Sequence, residues 1–157
     1  MSSYATLQNF KDWLGSNISP PGMYQIVTDR IARTTASDAV GQELLDLAEG
    51  EMHQYLGGRY AVPINVAGDA ALAATLRGIA LPIAEFMGFT SNPFLKPSIS
   101  EALRRKYDEA IGKLKRIADG VVPLPGATEI PGSPNGGGKG YVVGHVAKYT
   151  ENALRDL

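Results

Sequence analysis

From position 37 to position 56 the apolar residues Val40, Leu44, Leu47, Ala48, Met52, Tyr55 and Leu56 recur every three or four places. That spacing gathers them on one broad stripe of a helix and turns them towards a core. Ser37 or Asp38 offers a side-chain oxygen to the free N–H groups of the first turn, and Gly57 and Gly58 offer a left-handed stop. Arg59 and Tyr60 follow, and Pro63 biases Val62 towards an extended conformation, so the helix is expected to lead into a fixed corner. Arg59 sits where a helix end leaves carbonyls free at the negative end of its dipole. A structural guanidinium is expected there, satisfied by those carbonyls or by a carboxylate of the same or a neighbouring subunit.

The same periodicity predicts three further helices. Thr6 caps a short one over 7–14, with Leu7, Phe10, Trp13 and Leu14 inward and Gly15 as its stop. Trp13 is expected in core or interface packing rather than as a ligand platform. Residues 16–36 contain Pro20-Pro21-Gly22 and then MYQIVTDRIA, which suits either a short helix or an irregular crossing. Asp69 caps a helix over 70–87 that is apolar on nearly every side, as expected for an element surrounded by others. Thr75, Gly78, Pro82 and Glu85 share one of its faces; Pro82 removes a hydrogen bond and crowds the Gly78 carbonyl, so a kink or break is expected, with an inter-subunit contact as the alternative. A loop should follow over 88–97. Ser98 and Glu101 read as a capping box for the last helix, which turns Leu103, Tyr107, Ala110, Ile111, Leu114, Ile117 and Ala118 to one side. Arg104, Arg105, Asp108, Glu109, Lys113 and Arg116 occupy the other, with Glu109 and Lys113 in the favourable i,i+4 order. The expected fold is all-α: an irregular bundle of three main helices plus a short N-terminal helix, over residues 1–120.

Residues 120–144 hold four prolines and eight glycines, too little apolar area to offset the entropy of ordering them. Residues 121–157 are therefore expected to be a flexible linker and an interaction arm. The arm carries Tyr141, Val142, Val143, Val146, Tyr149 and Leu154, which suit docking on a partner as a strand or a helix. A tail folded back on its own domain is the alternative.

Composition narrows the function by exclusion. A chain of 157 residues with 44% hydrophobic content suits one domain with a tail. The absence of cysteine excludes disulfides, thiolate zinc sites and cysteine nucleophiles, and fits a reducing cytoplasm. The formal net charge of −1 argues against general nucleic-acid binding. Charge is nonetheless segregated: residues 1–58 hold seven acids and three bases, whereas six of the fifteen Lys and Arg lie within 104–116. An acidic second helix, through Glu43 and Asp46, and a basic fourth one, through Arg104 and Arg105, could thus join one subunit to the next. The N-terminus lacks a basic region followed by an apolar one, so no secretion is expected; the apolar run over 70–87 is broken by Arg77, Pro82 and Glu85 and reads as a buried helix rather than a membrane span.

No recognisable catalytic pattern emerges. Asn135 to Gly140 resembles a phosphate loop at a glance, but Pro134 precedes it and Gly140 follows Lys139 where Ser or Thr should meet magnesium. Glu49 and His53 lie one helical turn apart, an incomplete metal site and more simply a surface pair. With no nucleophile elbow or dinucleotide fingerprint either, the chain is expected not to be an enzyme and to need no cofactor.

Three motifs in order carry a resemblance: Tyr4-Ala5-Thr6-Leu7, then Tyr55-Leu56-x-x-Arg59-Tyr60-x-x-Pro63 after an amphipathic helix, then Arg104-Arg105-Lys106-Tyr107-Asp108-Glu109-Ala110. Over residues 4–120 the chain resembles the head-tail connector (adaptor) proteins of tailed bacteriophages and Mu-like prophages. The resemblance implies a structural virion protein, made in the host cytoplasm and located in the neck. There it would assemble as a ring, about twelve-fold, between the portal protein and a tail-side stopper or tail-terminator protein. Genomic DNA would pass through the channel without sequence-specific binding, and no membrane would be involved. Arg59, Tyr60 and the arm residues then join Glu43, Asp46, Arg104 and Arg105 as candidate contacts. The rival reading is a small helical DNA-binding regulator of a phage or prophage, with Arg104 to Lys106 on a recognition helix; the near-neutral charge and the lack of a clear helix-turn-helix signature weigh against it.

Overall fold

Among the described residues, four of the five α-helices start at a short polar side chain that takes up a free backbone N–H. The computed structural model describes residues 4–15, 22–29 and 36–132. Thr6 opens α1 (Leu7–Trp13): its hydroxyl accepts from the Asn9 N–H, and the Asn9 side chain accepts from the Thr6 N–H, closing a capping box. Ser37 opens α3 (Asp38–Leu56) by accepting from Val40, and Asp69 opens α4 (Ala70–Ser91) by accepting from Leu72. The short α2 (Met23–Thr28) has no side-chain cap and is held instead by burial of Tyr24, Val27 and Thr28, so this part of the segment left open between helix and crossing is helix, while 16–21 and 30–35 lie outside the described residues. The fifth, α5 (Glu101–Ala118), is capped by Ser100 rather than Ser98. Ser98 is spent in a 3₁₀ turn, where its N–H reaches the Leu95 carbonyl, and Ile99 is extended, so the first free N–H groups come two residues later than expected.

Helix α4 is the centre of the bundle. α3 and α5 both pack along it and against each other, and α1 and α2 close the end formed by α3 and α4. The core includes Phe10, Leu44, Leu45, Met52, Leu56, Leu76, Ile83 and Leu114, all fully buried. α4 is long and apolar enough to cross a membrane by length and composition; here 44% of its apolar window is buried, and the N-terminal half keeps an exposed side at Ala71, Ala74, Thr75 and Gly78. It runs through Pro82 without a break and continues past the expected end at Met87, so residues 88–91 are helix rather than loop. A reason for that extension is Gly88, where a Cβ would overlap Val27 and crowd Leu44: α2 and α3 both seat on this turn. Asn92 ends the helix before Pro93, its buried amide donating to the Ile26 and Asp29 carbonyls and accepting from the Phe94 N–H.

Two apolar residues expected to face the core do not. Leu47 is 51% exposed and Trp13 41%. The stripe on α3 is narrower than the seven-residue pattern suggested, because the groove that α4 and α5 offer admits only the Leu44, Leu45, Ala48, Met52 and Leu56 side of the helix.

At the end of α3 the expected left-handed glycine is absent. Gly57 is right-handed (φ −64°), and the chain tightens so that the N–H groups of Arg59 and Tyr60 both reach the Leu56 carbonyl at 3.0 and 2.8 Å. Tyr4 secures the next turn. Its hydroxyl accepts from the Ile64 N–H and shares a 2.9 Å hydrogen bond with His53 Nε2.

α1 is pinned to the start of α3 by Lys11, whose Nζ lies 2.9 Å from the Asp38 carboxylate, and α2 by Tyr24, whose hydroxyl donates to the same group. The Lys11 and Tyr24 hydrogen bonds hold the Asp38 carboxyl below its usual range. A depressed folded pKa gives stability that is present above the ordinary carboxylate pKa, about 4, and is lost as pH falls through the lower folded value. Asp38→Asn should therefore melt below wild type at pH 7 and together with it once the pH falls below the depressed folded pKa of Asp38, in thermal scans. An equal gap at both pH values would show that Asp38 does not contribute through its charge.

Candidate subunit interface

The two charged helices lie side by side on α4 with different exposed surfaces. On α3, Glu43 and Asp46 are exposed around Leu47, and no Lys or Arg occurs between Asp38 and Leu56. On α5, Arg104, Arg105, Lys113 and Arg116 are exposed. Arg105 reaches Glu109 at 4.0 Å, an exposed pair worth little. Within the subunit the two helices also meet through Glu51, whose carboxylate accepts from the Tyr107 hydroxyl at 2.7 Å. Burial, and then that carboxylate, push the Tyr107 hydroxyl pKa up, so it stays a donor. The Tyr107 ring also stacks on Phe86 of α4, with centroids 4.3 Å apart.

Arg59 and Tyr60 are placed inside the corner, 6% and 1% exposed. Arg59 donates through Nε and Nη2 to one oxygen of Glu129, at 3.0 and 2.7 Å, so its partner is a carboxylate of the same chain. Tyr60 faces the same segment. Its hydroxyl accepts from the Leu124 N–H, and the Ala61 N–H and Ile130 N–H bond to the carbonyls of Thr128 and Arg59, which makes a one-residue antiparallel bridge. Leu124 is 5% exposed. The first ten residues of the expected linker are thus a strap packed on the bundle, because one leucine, one carboxylate and a short β-type pairing suffice to hold them despite their prolines. Gly120 starts the strap at φ +74°, where any Cβ would overlap the Arg59 guanidinium. The arm residues Tyr141, Val142, Val143, Val146, Tyr149 and Leu154 lie outside the described residues.

A second polar cluster escaped sequence reading. Glu85 of α4 accepts from the Trp13 indole N–H at 2.8 Å and pairs with Lys106 of α5 at 3.6 Å, while the Lys106 ammonium stands 5.6 Å from the Trp13 ring centroid. Three helices are tied at one half-buried carboxylate. Nothing in the local pattern links positions 13, 85 and 106, so only the fold reveals it. His53 and Glu49 lie 3.6 Å apart, with His53 also bonded to Tyr4; among the described residues no group of three or more His, Asp or Glu is placed to hold a metal.

Residues 4–142 match the family described as Bacteriophage Mu, Gp36. The chain belongs to that family. No curated protein and no solved structure matches it. The Gp36 match spans the five helices and the strap and ends at Val142, so of the six arm residues only Tyr141 and Val142 fall within it. As a Gp36 family member the chain is a phage protein of the structural or morphogenesis class, consistent with a virion-associated role and synthesis in the host.

Proposed function

We propose that this chain is a head-tail connector subunit that assembles as a ring, about twelve-fold, in the virion neck between the portal protein and a tail-side stopper or terminator protein. The observation that carries this reading is the Gp36 family match over almost the whole helical domain. The surface supports it: one chain carries an acidic face on α3 and a basic face on α5, which is what a face of one subunit needs to meet a different face of the next. The role is assembly without catalysis or cofactor, and genomic DNA passes through the channel without being read. Glu43 and Asp46 meet the basic face of the neighbouring α5, on which Arg104 and Arg105 lie, and residues beyond the strap reach the portal or the tail-side protein. Arg59 and Tyr60 serve the contact indirectly, by holding the strap in place.

Native mass spectrometry of the full chain, alone, with portal protein and with duplex DNA, tests this. The expected result is rings or portal-bound oligomers whose mass DNA does not change. A monomer that binds duplex DNA in a salt-sensitive complex would instead establish the regulator reading.

A further inference from the structure

Between the N-terminal half of α4 and the C-terminal half of α5 runs an open groove of about 450 Å³. Ala74, Gly78, Ile79 and Ile117 line it, and the exposed Lys113 and Arg116 stand at its side. Neither cation has a side-chain hydrogen bond or ion pair among the described residues. Among the described residues nothing packs against Gly78. It occupies the middle of a helix, where only proline is a poorer choice, and a Cβ added there would meet nothing within 4 Å. Gly41 and Gly88 differ, since a Cβ at either would overlap Tyr24 or Val27. On α3, Gly50 repeats the pattern of Gly78: exposed, within the helix, with open space beside it. It lies one turn from Leu47, the half-exposed leucine that the core does not take.

We propose that the groove receives the α3 ridge of a second copy of this chain, with Leu47 seated over Gly78 and Ile117 and with Glu43 and Asp46 facing Lys113 and Arg116. The inference rests on the ring reading above and names its contact. Charge complementarity selects the occupant. The ridge belongs to a helix with five carboxylates and no Lys or Arg, and the groove is edged by two cations. Two bare helix glycines, one on each surface, let the backbones come close enough for a leucine to reach the groove floor. Ridge and groove are different surfaces of one chain, so each added copy leaves one ridge and one groove open until the chain of subunits closes. Arg104 lies nine residues before Lys113, about 14 Å along the helix axis. The cations that face Glu43 and Asp46 when Leu47 is seated are therefore Lys113 and Arg116 rather than Arg104 and Arg105.

The absence of cysteine permits a direct test in the full-length chain. A chain carrying both Leu47→Cys and Thr75→Cys should give, on mild oxidation, a ladder of disulfide-linked oligomers up to the ring size. Leu47→Cys alone should stay uncrosslinked. In parallel, Gly78→Trp should fill the groove and abolish rings in native mass spectrometry while leaving helical circular dichroism unchanged. Lys113→Glu with Arg116→Glu should also lose the ring and regain it on mixing with Glu43→Lys and Asp46→Lys, a rescue that Arg104→Glu with Arg105→Glu should not show. Wild-type rings without the double-cysteine ladder, or rings that survive Gly78→Trp, overturn this contact and leave the connector reading standing. Efficient dimers of Leu47→Cys alone overturn it in favour of a symmetric contact. A wild-type chain that stays monomeric with and without portal overturns both.

Discussion

A chain ending at Gly120 should melt at least about 10 °C below one ending at Gly132. The residues between them include Leu124, whose burial is worth about 1.5–3 kcal/mol, and they cover the fully buried Tyr60 ring. Removing them also strands the Tyr60 hydroxyl without the Leu124 N–H and leaves the Arg59 guanidinium in its pocket without Glu129. Against a total stability of about 5–15 kcal/mol these losses are large. Ending at Gly132 removes none of the described contacts. The urea midpoint and slope give a second readout: the shorter chain should lose midpoint and also some slope, since it buries less surface. Equal melting of the two truncations would show that the strap is passive and that the bundle is complete at Gly120.

Phe10→Ala should destabilise the protein by about 3–5 kcal/mol, and Trp13→Ala, three residues along the same helix, by about 1 kcal/mol. Phe10 is fully buried and meets Tyr24 edge to face, with ring centroids 6.0 Å apart, so its loss opens a cavity where α1, α2 and α3 converge. Trp13 is 41% exposed, and its replacement sacrifices the hydrogen bond to Glu85, which water can in part replace, and the exposed contact with the Lys106 ammonium. Trp13 is the sole tryptophan and sits on the helix that Phe10 anchors, so its fluorescence reports α1 directly. In Phe10→Ala the emission should shift to the red at a lower urea concentration than in wild type. A Trp13→Ala effect as large as that of Phe10→Ala would mean that the Glu85 cluster, and not the apolar contact, holds α1.

Much of this fold was decided by local sequence. Thr6 and Asp69 cap their helices as read, and Ser37, one of two candidates, caps α3, because an N-cap needs only one side-chain oxygen and a free N–H two or three residues on. The apolar face of α5 is buried as its spacing required, and the all-α class followed from period alone. The charge segregation of α3 and α5 was equally plain in composition. What local sequence did not decide concerns width, pairing and reach. How much of the α3 stripe is buried depends on the space left by α4 and α5, so Leu47 faces outward although its period is that of its buried neighbours. Glu129 lies seventy residues from Arg59 and no pattern joins them; the pair, and with it the change of residues 121–130 from linker to strap, exists only because the chain returns past the end of α3. The groove beside Gly78 is likewise a property of two helices crossing. A sequence states what each segment needs, and only the packed chain shows which needs are met within the subunit and which surfaces remain for another.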